Sequence, residues 1–483
     1  MTGLRAAGFP EREVRARARR GTAEVFPPAD AYGRELFGAQ PTPSTDELDH
    51  ARLAPPVFMP QRLEKLIELG REPLHDDVDL RAAVGGFASE LPLFLSAFGS
   101  TRAGSGDLGV AASRQAARLG IPMVIGENMV PVHGYRRGGG DGTRSALLAR
   151  IAAYTEAVAD GVGGVVVQQS TEDADSEVWN LVYSDPSTRP LLESGRLGFE
   201  LKIGQGAKPG LGGMTVVGAA EAARLAGRFA VRDVLGGGES TGAFTGESTG
   251  VFTGEGAAEA RKASADGDSD ESGDREEGGE RDTDGETSGS GGPAAYRLRC
   301  ASPGTFTEEI VRQQLRFMRN NFPRAKVWVK FHPGRDVGEA AATAWRAGAD
   351  AVTVDGAEGG SGWAPRVFLD QVGLSLAECL RRIGRPDGCL LATGRMWEGG
   401  RAVRALALGA RAVGLGRAAL IAVDEDPRDG LVRLVDALSL EARLLISALG
   451  KYDVDALTPE DLWQPRPYDA PAYPYAAPVG GRP

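Results

Sequence analysis

The chain has 483 residues, 42% of them hydrophobic, and a net charge of −11; that is enough for one large barrel with additions or for two ordinary domains. The acidic balance argues against a nucleic-acid binder, which shows a basic face. No apolar run reaches the ~20 residues of a membrane span, and the basic start, MTGLRAAGFPEREVRARARR, lacks the apolar core of a secretory signal.

Residues 1–85 read as an N-terminal extension packed on the main domain. Its first twenty residues suggest a frayed amphipathic helix, prolines from Pro27 to Pro56 break the next stretch into short pieces, and helical periodicity returns over 61–70, QRLEKLIELG. From about residue 90 the pattern becomes strand, loop, helix, repeated. Candidate strands are 92–97, 121–126, 163–168, 199–203, 326–331, 350–354, 388–393 and 411–416. Each is short and mostly apolar, as strands buried on both faces should be. Helical segments lie between most of them, at 106–119, 144–160, 306–320, 336–347, 375–383 and 400–409. Eight such units predict an α/β fold, a (β/α)8 TIM barrel whose halves are residues 86–235 and 295–425; a doubly wound sheet is the alternative.

Residues 236–294 interrupt the rhythm with Gly, Glu, Asp, Ser and Thr, and STGAFTGE (Ser240–Glu247) recurs as STGVFTGE (Ser248–Glu255). Such a stretch cannot bury enough apolar surface to repay ordering, so it reads as a disordered insertion between the fourth and fifth strands. It is either a tolerated loop expansion or a docking element. Residues 426–483 follow the barrel as an amphipathic helix (Leu431–Ser447) and an extended Pro/Tyr-rich tail. Cys300, Cys379 and Cys389 form no close pair, and His50, His75, His133 and His332 show no metal-ligand spacing. Neither a disulfide framework nor a metal site is expected, and a reducing cytoplasm fits.

The most informative stretch is FELKIGQGAKPGLGGM, residues 199–214. A strand empties there into a loop of glycines with lysine and glutamine donors suited to an anion, and barrel chemistry sits at the C-terminal ends of strands. KIGQGAKPGLGG resembles the signature loop of the FMN-binding synthase domain of glutamate synthases. The resemblance extends, with gaps, over roughly residues 90–460. That domain is a (β/α)8 barrel reducing 2-iminoglutarate, formed from 2-oxoglutarate and ammonia, to L-glutamate.

The resemblance implies roles for particular residues. Lys330, ending the fifth strand, stabilises negative charge on the reduced isoalloxazine. Gln205 and Lys208 contact a dicarboxylate substrate. Glu127, after Ile125-Gly126, forms a polar wall that orients the imine or exchanges a proton with it. Lys330, Glu127 and Lys208 are thus the catalytic candidates. Gly99, in the surviving Phe98-Gly99 pair, falls on the substrate side. Lys202 is either a further substrate contact or a buried partner of Glu200, with which it shares a strand face. Gly359 and Gly360 let the backbone approach the cofactor, and Gly394, Gly414 and Gly416 belong to the phosphate loops. Arg417 adds a charge there or lies on the surface.

The sequence also departs from that family. The cysteine triplet of a 3Fe–4S cluster is absent, so no iron–sulfur cluster is expected and the electron donor is open. No cysteine glutaminase domain is read ahead of the barrel: nitrogen from glutamine would need a separate ammonia-supplying subunit, free ammonia or an amine would not, and a separate electron-donor subunit is the matching expectation for the flavin. Asp355 stands where serine is usual, and Met214 where a polar residue is common. The expectation is an FMN-dependent enzyme, a homo-oligomer, acting on CH–NH2 groups. It would reduce an imino acid formed from a 2-oxo acid and ammonia or an amine, as in the related N-methylglutamate synthases. Two alternatives stay open: an FMN oxidase of specialised metabolism, and an inactive barrel that binds a partner through the acidic repeat.

Overall fold

The computed structural model describes residues 4–6, 8–26, 46–58, 60–98, 108–127, 129, 145–170, 177–204, 214–218, 222–223, 225–227, 230–232, 296–300, 306–359 and 366–464. The acidic repeat segment and the Pro/Tyr-rich tail lie outside them. In chain order the strands are β1 (Arg52–Leu53), β2 (Ala82–Val84), β3 (Phe87–Ser89), β4 (Leu93–Phe98), β5 (Met123–Ile125), β6 (Val165–Gln169), β7 (Leu197–Ile203), β8 (Met214–Gly218), β9 (Ala230–Arg232), β10 (Tyr296–Cys300), β11 (Lys326–Phe331), β12 (Ala351–Asp355), β13 (Leu390–Thr393), β14 (Ala412–Leu415) and β15 (Leu462–Trp463).

Eight of these close into a barrel in the order β11-β12-β13-β14-β4-β5-β6-β7. Every neighbouring pair is parallel, and β7 pairs with β11 to close the ring. Helices follow the strands on the outside, among them Leu108–Arg118, Ala146–Thr155, Glu308–Asn321, Val337–Arg346, Leu376–Ile383, Gly399–Ala407 and Arg417–Glu425. The fold is a (β/α)8 barrel.

Period-two alternation divides each strand between two cores. Phe199, Leu201 and Ile203 of β7 and Val327, Val329 and Phe331 of β11 pack outward in the large cluster shared with the helices. Phe94, Val124, Val166, Trp328, Ala351, Leu391 and Ala412 point inward and fill the lower lumen. The β2–β3 hairpin adds Val84 and Phe87 to that inner cluster. Its turn residue Gly85 has φ +58, and a Cβ there would lie 2.2 Å from the Trp328 ring. The Trp328 indole N–H donates to the Gly85 carbonyl at 2.8 Å. The hairpin thus plugs the N-terminal end of the barrel and leaves the C-terminal end as the place for a site.

The N-terminal helix Glu11–Arg20 is docked rather than frayed: Val14 and Ala18 are fully buried. Arg15 pairs with Asp424 at 2.9 Å and Glu425 at 3.0 Å. β1 and β15 form a short antiparallel ribbon, Arg52 opposite Trp463, tying the N-terminal extension to the segment that follows the barrel. Thr215–Cys300 form a second compact unit, wider at both ends than the compositionally biased stretch. It contains a three-stranded sheet ordered β8-β10-β9, with Leu298 opposite Arg232. Among the described residues no helix is long and apolar enough to cross a membrane, and no group of three or more His, Cys, Asp or Glu could hold a metal ion.

Candidate functional site

Two residues above the apolar plug, the inward positions of β6, β7, β11 and β12 change character. They become Gln168, Glu200, Lys330 and Thr353, and one step higher Lys202 and Asp355, all buried. A carboxylate in such a place must be hydrogen-bonded or paired. Glu200 is both: the Gln168 amide donates to Oε2 at 2.6 Å, and the Thr353 hydroxyl donates to Oε1 at 2.9 Å. Burial nevertheless pushes the Glu200 carboxyl above the ordinary glutamate range, opposed by the Lys330 charge and the two donors.

Lys330 lies 2.9 Å from Asp355, with side chains 7% and 10% exposed. Burial works against its charge, but Asp355, Glu200 and Glu127 together hold its pKa above the ordinary lysine value. Lys202 hydrogen-bonds Glu127, which follows β5. Burial opposes ionisation of Glu127, yet Lys202, Ser170 and Lys330 outweigh it and keep the carboxyl below its usual range. Lys202 does share a face with Glu200, but its carboxylate partner is Glu127. The mouth therefore brings together Glu127, Lys202 and Lys330, and adds Glu200 and Asp355, for which the sequence suggested no site role, and Gln168 and Thr353, which belong to no motif. For Gln168 and Thr353 the signal was the inward register alone. Lys330 is opposite Lys202 on one side and Thr353 on the other.

Across the mouth, the loops after β12, β13 and β14 meet. A Cβ on Gly359 would lie 3.3 Å from the Gly394 Cα. The Arg417 guanidinium donates to the Glu358 carbonyl at 2.6 Å and lies over the Phe9 ring, 4.6 Å from its centroid. Burial lowers the Arg417 pKa, and the neighbouring Arg395 charge lowers it further. Gly416 caps the helix Arg417–Glu425 with no side-chain cap, and the space beside its Cα is open. A helix start without a side-chain cap, the Arg417 guanidinium and open space suit an anion, while Arg395 is paired with Asp49 at 2.7 Å. Gly414 sits within β14, where a Cβ would come 2.5 Å from Thr393 and 2.6 Å from Phe94, so the strand packs closely there. Gly99, Gln205, Lys208 and Gly360 lie outside the described residues.

One further cluster braces these loops. Arg401 is fully buried on the helix Gly399–Ala407. It donates to the Gly394 carbonyl at 3.0 Å and to Asp46, Asp49 and Glu358, each at 2.7 Å in its nearest contact. The sequence offers one sign of it, an arginine amid the apolar stripe of GGRAVRALA.

Residues 303–425 match the family model described as the conserved region in glutamate synthase. The match runs from before β11 to the end of the helix that follows β14. This part of the chain is glutamate-synthase-like. The archaeal-type glutamate synthase [NADPH] of Dehalococcoides mccartyi is 36% identical over 108 residues, which are 21% of this chain and 22% of that protein. A glutamate synthase large subunit-like protein of Rhizobium meliloti is 39% identical over 95 residues, 18% of this chain and 22% of that protein. The matches thus span about a fifth of the curated relatives' length. Among solved structures, a soluble mutant of the (S)-mandelate dehydrogenase of Pseudomonas putida aligns with a TM-score of 0.47 at 17% identity, covering 95% of this chain and 100% of that one. In the glutamate-synthase-like stretch lie Lys330, Asp355, Gly359, Gly394, Gly416 and Arg417, that is, both sides of the mouth.

Proposed function

We propose that the chain is an FMN-dependent oxidoreductase of the glutamate-synthase type, reducing an imino acid formed from a 2-oxo acid and ammonia or an amine. The observation that carries this reading is the buried, charged Lys330 at the C-terminal end of β11, inside the glutamate-synthase-like stretch. The donors present suit FMN. Gly394, Gly416, Arg417 and the start of the helix Arg417–Glu425 would hold its phosphate, and Lys330 would face its ring. Bound FMN supplies the hydride that an imine carbon accepts.

The chain's own residues do the rest. Lys330 offers fixed positive charge in a dry lumen, where such charge acts far more strongly than in water. Glu127, held ionised by Lys202, is an acceptor at neutral pH, so it orients a substrate N–H rather than donating a proton. Lys202 is engaged with Glu127. The resemblance assigns the substrate carboxylates to Gln205 and Lys208, which follow β7 in sequence and would bind them by charge-assisted hydrogen bonds.

The deciding measurement is the visible absorption spectrum of the purified protein before and after FMN is added. Flavin bands bleached by dithionite support the reading, and a colourless protein that ignores FMN sinks it. For the substrate half, Lys208→Ala should raise KM for the 2-oxo acid about thirty-fold, the loss of roughly 2 kcal/mol expected for a hydrogen bond to a charged group. Unchanged turnover and KM would remove Lys208 from the site.

A further inference from the structure

We propose that Asp355 is the internal counter-ion of Lys330 and sets how strongly that lysine acts on the flavin ring. This inference rests on the flavin reading above. Three carboxylates lie near the lysine, and they are placed differently. Glu127 is hydrogen-bonded to Lys202. Glu200 stands in register with Trp328, two residue pairs below Lys330, and both its oxygens already accept hydrogen bonds. Thr353 is level with Lys330, so Asp355, two residues further along β12, lies one inward step closer to the rim. It is the carboxylate in direct contact with the ammonium, at 2.9 Å. Because both groups are buried, little water screens the pair.

An ammonium already neutralised by a carboxylate offers less positive potential to a third group. Two-electron reduction of the ring adds negative charge, and a paired lysine stabilises that charge less than an unpaired one. Asp355 therefore holds the reduction potential down, and removing its charge raises it. Glu200 and Glu127 remain near Lys330 when Asp355 is changed, so the lysine does not become an isolated buried charge.

The test is the midpoint potential of the FMN-loaded protein, measured with the flavin sharing electrons with a reference dye. Wild type is compared with Asp355→Asn, Asp355→Ser and the charge-conserving Asp355→Glu. We expect Asn and Ser each to shift the reduced-to-oxidised equilibrium at least tenfold toward reduced, about 30 mV more positive for a two-electron couple. Glu should stay near wild type. Either neutral variant suffices if the other fails to fold. Flavin-bound Asn and Ser variants with the wild-type potential would overturn the proposal. So would a change in FMN affinity or thermal midpoint alone, which marks a merely structural Asp355. Wild-type protein that takes up no FMN refutes the flavin reading first and this inference with it.

Discussion

Lys202 and Lys330 are register partners on adjacent strands, yet each is neutralised by a different carboxylate, Lys202 by Glu127 and Lys330 by Asp355. Two ammonium groups side by side in a buried lumen would repel strongly. The barrel separates their partners instead, taking Glu127 from beyond β5 and Asp355 from the end of β12. Breaking one pair should therefore cost more than deleting it. Lys202→Met, which leaves Glu127 without its lysine, should destabilise by about 3 kcal/mol. Lys202→Met combined with Glu127→Leu should recover at least half of that in urea unfolding. A double variant no more stable than the single one would mean that the pair is not a coupled unit.

Glu200 gives the lumen a pH dependence of its own. Its folded pKa is raised by burial above the unfolded value, which is about 4.3. The folded state then binds the proton more tightly, so this group's contribution is full below pH ~4.3 and is lost as pH rises through the folded pKa. Glu127 runs the other way. Its folded pKa is depressed, so its contribution is full above pH ~4.3 and is lost as pH falls through the folded value. Glu200→Gln keeps an oxygen to accept from Gln168 and removes the titration. Its unfolding free energy should fall less than that of wild type as pH is raised from 4.3 toward neutrality. Parallel pH profiles for the two proteins would rule this out.

The barrel was legible because a strand buried on both faces writes itself as a short β-branched or aromatic run, as in VVVQQ, KVWVKF and AVTVD. All eight barrel strands lie within two residues or so of their sequence-based bounds. Lys330 and Lys202 stood out for the same reason, as charges inside such runs. What they pair with was not legible. Glu200 and Lys202 share a strand face, which suggested a mutual pair, but barrel closure brings Glu127 from two strands away to Lys202 and hands Glu200 to Gln168 and Thr353. Strand tilt and stagger decide such contacts, and no local pattern encodes them. The Arg401–Asp46 contact, between residues 355 apart in sequence, is hidden for the same reason. The docked N-terminal helix differs from expectation because its partners, Asp424 and Glu425, lie at the far end of the chain.

Arg401 gives a stability prediction. Asp46, Asp49 and Glu358 all face its guanidinium, and burial already pushes Glu358 above the ordinary range despite that charge. Arg401→Met removes a cation that touches all three and frees the Gly394 carbonyl, while Asp49 keeps its ion pair with Arg395 at 2.7 Å. A loss of about 3–5 kcal/mol is expected, the usual consequence of stranding buried charge. Arg401→Lys should recover only part of it, because an ammonium cannot reproduce a guanidinium's planar fork of donors. Chemical denaturation of the three proteins measures this. A loss under about 1 kcal/mol for Arg401→Met would show that the cluster is not a brace.

The cysteines yield a prediction independent of any ligand. Burial pushes the Cys379 thiol up to about 12 and the Cys389 thiol to about 11. Cys389 also accepts from the Gly85 N–H at 3.3 Å, beneath the barrel plug. The thiolate is the reactive form, and at pH 8 a thiol with a pKa near 11 is thiolate to only about one part in a thousand. A disulfide-exchange reagent added to native protein should therefore leave both residues unmodified over the time in which urea-unfolded protein reacts at all three. Cys389, partly exposed in the folded protein and hydrogen-bonded to Gly85, is the cysteine whose labelling reports on the β2–β3 hairpin. Gly85→Ala, whose Cβ would meet the Trp328 ring at 2.2 Å, should loosen that plug and speed labelling of Cys389 while leaving Cys379 protected. Equal acceleration at both cysteines would mean that the substitution unfolds the whole barrel and that the hairpin is no separate plug.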